Sequence, residues 1–340
     1  MVQFIDVDRP ALVLAPMEGI TDAPMRALQG ATGAFSFAVS EFIRVSTHPI
    51  PTKVYRRDVP ELNQGGRTPT GMLVQVQILG GDPERMAASA INACQAGAGA
   101  IDINFGCPAK TVNRNDGGAT LLKYPHRIRE IVRAVRQAVP SGVPISAKLR
   151  LGWDRIDEIH ENAAMAVEGG ASWITIHART RVQGYLPPVF WEPIAEVRRD
   201  LPVPVVANGD IWNLDDFHRC REATGCRHFM IGRGALANPM LARQIAGELG
   251  IGCADSDLTP WADRNWPTLL GDLEAWMDRC HGPAPVKTLL RLKQWLKLAA
   301  TFGTFSHFAQ VKAAQSIDEF YLLLSESVAQ SDLPALVAAD

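Results

Sequence analysis

The 340-residue sequence predicts a closed (β/α)8 barrel of the TIM type over residues 1–250, followed by a small all-helical domain over 251–340. Three observations predict it. Short apolar runs recur eight times and alternate with segments of helical periodicity, the pattern of a parallel sheet buried on both faces. The eight units fill about 240 residues, against roughly 250 for such a barrel. Beyond about Gly250 only helical patterns follow. An open doubly wound sheet is the competing architecture. It normally carries GxGxxG after its first strand, and Ala15-Pro16-Met17-Glu18-Gly19 is not one.

The first strand is expected over Ala11–Met17 and ends in Pro16, Met17 and Glu18. The second, Phe35–Phe42, ends at Glu41 and is followed by Arg44. The third, Leu73–Leu79, holds Gln75 and Gln77 two apart, so both point the same way. The next helix presents Ala87, Ile91 and Ala98 on one face. The fourth strand, Ala100–Gly106, brings in Asn104 and runs out at Cys107, and the helix behind it aligns Ile128, Ile131, Val132 and Val135. The fifth, Pro144–Arg150, carries Lys148 and Arg150. The sixth, Trp173–Ala178, delivers His177, with Arg179 beyond it. The seventh, Pro204–Gly209, ends in Asn208-Gly209-Asp210, and the eighth, His228–Arg233, in Gly232-Arg233-Gly234. Asp255-Ser256-Asp257-Leu258-Thr259-Pro260 reads as a boundary loop. Helices are then expected over Trp266–Cys280, Pro285–Phe302 and Phe305–Ala329.

Catalytic groups in such barrels sit at the C-terminal strand ends, and here nearly every end is polar. One such residue is unremarkable: His177 alone reads equally well as a satisfied core histidine. Lys148 is different, because a lysine within a buried strand needs a partner. The glycine-rich ends of strands seven and eight lie where barrels often bind phosphate, and Arg233 adds a charged fork. Two ordinary tight turns are the plainer alternative. The chain's centre of gravity is 101–122, IDINFGCPAKTVNRNDGGATLL. Cysteine is usually buried and inert. Cys107, however, stands between Gly106 and Pro108 and is followed by Lys110, Asn113, Arg114 and Asn115, which places it on a polar loop as a proton donor or nucleophile.

Composition narrows the partners. With 47% hydrophobic and 21% charged residues and a net charge of −2, any nucleic-acid contact must rest on local positive charge. The start, MVQFIDVDRP, is not a signal peptide, and no apolar run is long enough for a membrane span. Cys94, Cys107, Cys220, Cys226, Cys253 and Cys280 form no CxxC and no zinc spacing, so they read as reduced thiols of a cytoplasmic protein with no metal. With no apolar heptad seam, a monomer is expected.

The motifs LAPMEGITD (14–22), LVQVQILG (73–80), DINFGCPAKTVNRNDGGATLL (102–122), SAKLRLGWD (146–154), IHARTRVQGY (176–185), VVANGDI (205–211) and MIGRGALANP (230–239) resemble the tRNA-dihydrouridine synthases. SEFIRV (40–45), GRTPTG (66–71) and RLKQWL (291–296) are similar to the bacterial tRNA-dihydrouridine synthase C branch. The resemblance implies an FMN-binding barrel with a helical RNA-binding domain, which reduces a D-loop uridine, position 16 in this branch, with hydride from NADPH or NADH. It implies FMN contacts from Pro16, Met17, Glu18, Gln77, Lys148, His177, Asn208, Gly209, Asp210, Gly232 and Arg233. It makes Cys107 the proton donor. tRNA contacts fall to Arg44, Asn104, Arg150, Arg291 and Lys293. Lys287/Arg291 and Lys293/Lys297, each spaced i,i+4, would form a basic helix surface. The chain departs from the family at Asn113-Arg114-Asn115-Asp116, where glycines are common, and near Leu298, where an aromatic is common. Two other readings stay open at this point: a Schiff-base lyase built on Lys148 for a phosphorylated small molecule, and a catalytically silent tRNA-binding protein.

Overall fold

Eight parallel strands close into one barrel in sequence order, and the eighth returns to the first. They are β1 (Ala11–Leu14), β2 (Phe37–Arg44), β3 (Leu73–Leu79), β4 (Ile101–Asn104), β5 (Ile145–Arg150), β6 (Trp173–His177), β7 (Val205–Asn208) and β8 (His228–Ile231). The computed structural model describes residues 4–113, 116–251, 265–303 and 305–331. The expected boundary loop at Asp255–Pro260, together with Cys253, Arg114 and Asn115, lies outside them.

Five strands stop one to three residues before their expected ends, so Pro16, Met17, Glu18, Gly209, Asp210 and Gly232 follow the strands, whereas Asn104, Lys148, Arg150, His177 and Asn208 remain within them. β2 instead runs past its expected end to Arg44, after its register on β3 shifts between Val39 and Phe42. The Ser40 hydroxyl accepts the Gln77 amide there at 3.0 Å, taking up a donor near the shifted ladder.

Capping residues set the helix starts. Asp22, Asp82 and Asn213 accept first-turn amides of α1 (Ala23–Gly30), α3 (Pro83–Ala96, counting Thr52–Asp58 as α2) and α8 (Leu214–Thr224). The short α4 spans Lys110–Asn113, and α5 is Pro125–Ala138. Ile128, Ile131, Val132 and Val135 of α5 are fully buried, each contributing about 1.5–3 kcal/mol. On α3 the expected face is wrong. Met86, Ser89, Ala90, Ala93 and Ala96 are buried, Ile91 is exposed, and Ala98 lies beyond the helix. Small side chains at i, i+3 and i+4 let α3 lie close to its neighbours, and Ile91 falls outside that stripe. α6 (Glu158–Glu168), α7 (Glu192–Asp200) and α10 (Leu241–Glu248) complete this layer.

Alternate strand residues face the barrel axis. At the N-terminal end this lining is apolar: Val13, Phe37, Val39, Trp173, Val206 and Met230 pack together, with Phe4 against Phe37 at 5.2 Å, edge to face. Towards the C-terminal end the lining turns polar, at Gln75, Gln77, Asp102, Asn104 and Ser146.

The chain forms two compact units. The first is Met1–Gly232 with Leu241–Gly252; the second takes Arg233–Met240 and the residues from Cys253 on. The short helix α9 (Arg233–Ala237) therefore groups with the helical unit, on the far side of the expected boundary at 250. That unit holds α11 (Trp266–His281), α12 (Pro285–Phe302), α13 (Phe308–Val311) and α14 (Ile317–Ser331). Trp295 donates its indole N–H to the Leu236 carbonyl at 2.9 Å, and Trp266 packs edge-on against Trp295 and Phe305. The single helix expected over Phe305–Ala329 is instead two. Ser316 caps a new helix: its hydroxyl accepts the Glu319 amide at 3.1 Å, while the Glu319 carboxylate reaches back to the Gln315 amide at 2.6 Å.

Candidate active site

A continuous hydrogen-bonded layer crosses three strands at the polar end of the barrel. Asp102 accepts from Gln77 Nε2 at 2.6 Å and from the Ser146 hydroxyl. Ser146 in turn accepts from Gln75 Nε2 at 2.9 Å. Gln77 Oε1 accepts from Asn104 Nδ2 at 2.8 Å, and Asn104 Oδ1 accepts the amides of Gly106 and Cys107 at 2.9 and 3.0 Å. The strand registers place Gln77 opposite Asp102, Asp102 opposite Ser146 and Asn104 opposite Lys148. Burial pushes the Asp102 carboxyl up, against the opposing pull of Ser146, Gln77 and Lys148.

The loop carrying Cys107 is held at several points. Arg150, itself buried, donates Nε to the Gly106 carbonyl at 2.8 Å, and Nη1 to the Thr180 and Gly184 carbonyls at 3.0 and 2.8 Å. The Cys107 carbonyl accepts the Ala119 amide at 3.1 Å. Further along, Asn113 binds Thr120 and the Ala109 carbonyl, and Arg127 grips Asp116 with both terminal nitrogens at 2.8 and 2.7 Å. The departure from glycine noted at Asn113 and Asp116 thus supplies two fastenings. The Cys107 thiol is half-buried. Burial raises its pKa, while the Ala109 backbone, Arg150 and Lys148 oppose the rise.

Lys148 donates to Asn208 Oδ1 at 3.3 Å, and Asn208 Nδ2 donates to the Met230 carbonyl at 2.8 Å. Burial, then Arg150, pull the Lys148 pKa down. His177 ends β6 with its ring edge-on to Tyr185 at 6.3 Å. Gly209 has φ +127° and accepts the Trp191 indole N–H at 3.1 Å. The Asp210 carboxylate pairs with the buried guanidinium of Arg179 through both oxygens. At the β1 end, Pro16 leads into a tight turn. The Met17 amide donates to the Thr21 hydroxyl at 2.7 Å, and Glu18 stands at the rim. A Cβ on Gly232 would lie 3.1 Å from Met17 Sδ and 3.2 Å from Ala15 Cβ, so Gly232 keeps a cradle open against β1.

The structure therefore brings Gln77, Asn104, Cys107, Lys148, Arg150 and Asn208 into one constellation. Arg44, half-buried at the end of β2, reaches the Thr111 carbonyl at 3.4 Å, beside the Cys107 loop. Arg233, Arg291 and Lys293 belong to the helical unit. There Arg233 stacks 5.0 Å above the Phe302 ring. The basic helix surface differs from expectation. Arg291 is buried with Thr288, Leu292 and Trp295 and binds Gln294, and Lys293 donates to the Ala314 carbonyl. Lys287 and Lys297 are the exposed cations of the set. Burial of Arg291 follows from its place on the apolar side of α12, between Thr288 and Trp295.

The model of the dihydrouridine synthase (Dus) family matches residues 13–266, well over half the chain. The chain belongs to this family. It is 50% identical over 234 residues to a tRNA-dihydrouridine(16) synthase of Shewanella oneidensis, spanning 69% of this chain and 74% of that relative. It is 44% identical over 318 residues to a tRNA-dihydrouridine(16) synthase of Aquipseudomonas alcaligenes, spanning 93% and 99%. Histamine dehydrogenase from Rhizobium sp. 4-9 shares the barrel fold, with a TM-score of 0.52 at 15% identity over 71% of this chain and 46% of that one. Family membership sets aside the lyase reading of Lys148.

The donor set suits a flavin of the kind the family resemblance implies. An ammonium at Lys148, an imidazole at His177 and an amide at Asn208 stand towards the C-terminal ends of β5, β6 and β7, beside Gly209 and Gly232, which lack side chains; Gln77, expected among the FMN contacts, is instead fully buried and bound to Asp102 and Asn104. Reading the sequence missed Asp102 and Ser146, and the pairing of Arg179 with Asp210. Spacing held the signal for the first two: each lies two residues before a recognised site residue, so it faces the same interior. Among the described residues no His, Cys, Asp and Glu group is arranged for a metal, and no helix is long and apolar enough to cross a membrane.

Proposed function

We propose that this chain reduces the C5–C6 double bond of uridine 16 in the D-loop of tRNA, as a cytoplasmic enzyme of the C branch. Cys107 delivers the proton. The observation that carries this reading is the geometry of Cys107: a thiol whose pKa is raised by burial, on a loop fastened by Asn104 and Arg150 beside Lys148. A thiol that stays protonated at neutral pH is suited to general acid catalysis.

FMN, reduced by NADPH or NADH, supplies the hydride when bound. Pro16, Met17 and Glu18 would hold it from the β1 end, and His177 and Asn208 would orient it, with Gln77 behind them fixed by Asp102 and Asn104. Lys148 brings positive charge to its ring. The backbone N–H groups of Gly209, Asp210 and Gly232, with the charge of Arg233, would hold its phosphate end, the Asp210 carboxylate being neutralised by Arg179. The target base leaves its stack to reach this mouth. Asn104 and Arg150, expected from the family resemblance to contact it, act here through the loop that carries Cys107: Asn104 accepts the Gly106 and Cys107 amides, and Arg150 donates to the Gly106 carbonyl. Arg44 contacts the RNA backbone, and the helical unit adds Lys287, Lys293 and Lys297, with Arg291 holding Gln294 in place.

The test is direct. The purified protein is expected to be yellow, to bleach with anaerobic NADPH, and to form dihydrouridine at position 16 of an unmodified tRNA transcript. A colourless protein that takes up no FMN overturns the flavin assignment. tRNA binding without product favours a silent binding protein.

A further inference from the structure

We propose that Asp102 is a positioning residue whose acceptor-only carboxylate sets the donor–acceptor polarity of a relay running through Gln77 and Asn104 to the backbone of Cys107. The argument starts from the two ends. Ionised Asp102 can only accept, and the Gly106 and Cys107 amides can only donate. Between them lie two side-chain amides, each with one accepting and one donating side. A single arrangement satisfies all four groups, and it is the one found: Gln77 Nε2 faces Asp102, Gln77 Oε1 faces Asn104 Nδ2, and Asn104 Oδ1 faces the loop amides. Turning either amide over sets donor against donor on one of its sides and acceptor against acceptor on the other.

The relay is dry and anchored. Asp102, Gln77 and Asn104 are 2%, 0% and 8% exposed, so no bulk water relieves a mismatch. Asp102 is itself held on its other oxygen by Ser146, which Gln75 orients. A carboxylate two hydrogen bonds from Asn104 through Gln77, and two residues before it in sequence, thereby dictates which atom Asn104 shows to the cysteine loop. It does so without touching the loop. The value of this to uridine reduction rests on the proton-donor reading of Cys107; the geometry of the relay does not.

The experiment follows thiol alkylation by iodoacetamide in the full-length purified protein, without tRNA or reductant, resolved by peptide mass spectrometry. Asp102→Ala removes the anchor and is expected to speed alkylation of Cys107 about tenfold, as a loop losing buried hydrogen bonds opens. Buried Cys220 should stay protected, and exposed Cys280 should keep its rate. The combined exchange Asp102→Asn with Gln77→Glu moves the carboxylate one link along. Asn at 102 then donates to Glu at 77 and accepts from Ser146, and Asn104 keeps its orientation. Its Cys107 rate should return to within about twofold of wild type. A Cys107 rate unchanged by Asp102→Ala overturns the proposal. So does an exchange variant that reacts as fast as Asp102→Ala, or one that exposes Cys220. If Asp102→Ala itself exposes Cys220, the exchange variant decides alone: a wild-type rate supports the relay and a raised rate overturns it. Because uridine reduction is not the readout, failure of the proton-donor reading would leave these rates as they are.

Discussion

Arg150 donates its Nε to the carbonyl of Gly106 at 2.8 Å, one residue before the thiol of Cys107. The same guanidinium reaches the Thr180 and Gly184 carbonyls, so one side chain ties the loop after β4 to the loop after β6. Lysine at this position would keep the charge but lose the planar fork. Arg150→Lys is expected to lower kcat for dihydrouridine formation by about 10–100-fold, since each lost hydrogen bond to a charged group is worth about 1.5–3 kcal/mol. Steady-state kinetics on a tRNA transcript check this, and an unchanged kcat would show that the tie does not serve the reaction.

Burial raises the thiol pKa of Cys107, so its proton is retained to higher pH than on a free cysteine. General acid catalysis needs the protonated form. Single-turnover uridine reduction should therefore hold level through neutral pH and decline only above the ordinary thiol range. Cys107→Ala should lose about 10²–10⁴-fold in rate while still binding tRNA. A rate that climbs through the thiol's ionisation would point to thiolate chemistry and away from proton donation.

His228 begins β8 and is 4% exposed; burial, with Arg227 nearby, lowers its pKa from 6.5 to about 4. The unfolded chain takes up a proton below pH 6.5 that the folded chain refuses until about pH 4. Stability from this group is thus full above 6.5 and falls as pH drops, by up to about 3 kcal/mol. Asp102, raised in the fold, works in the opposite direction on the acid side. The comparison of wild type with His228→Gln isolates the histidine. Urea melts from pH 7 to pH 4.5 should show the variant losing less stability than wild type, and parallel losses would refute the assignment.

Gly232 faces Met17 Sδ and Ala15 Cβ across the gap between β8 and β1. An added methyl meets a flexible thioether at 3.1 Å and the fixed Ala15 Cβ at 3.2 Å, so Gly232→Ala should fold with a modestly lowered Tm while narrowing the cradle. The expected result is a protein purified with substantially less bound flavin, read from its visible absorbance per chain. Full flavin occupancy would place the phosphate elsewhere.

The barrel was legible in the sequence because alternation of strand and helix is a local property. Ile128, Ile131, Val132 and Val135 show their helical face by spacing alone, and Cys107 shows its loop by its Gly and Pro neighbours. The sequence by itself determined the fold class, the polar strand ends and the family motifs. What it did not determine was partnership. Asp102 and Ser146 look like minor interruptions of apolar strands until closure of the barrel sets β3, β4 and β5 side by side. Arg291 looks like a surface cation until packing of α12 buries it, and Arg150 looks free to grip RNA until two loops fold back onto its guanidinium. Short-range pattern follows from backbone geometry and is written residue by residue. Which polar atom meets which depends on strand register and loop closure across 25 to 71 residues of separation, and only the tertiary structure decides it.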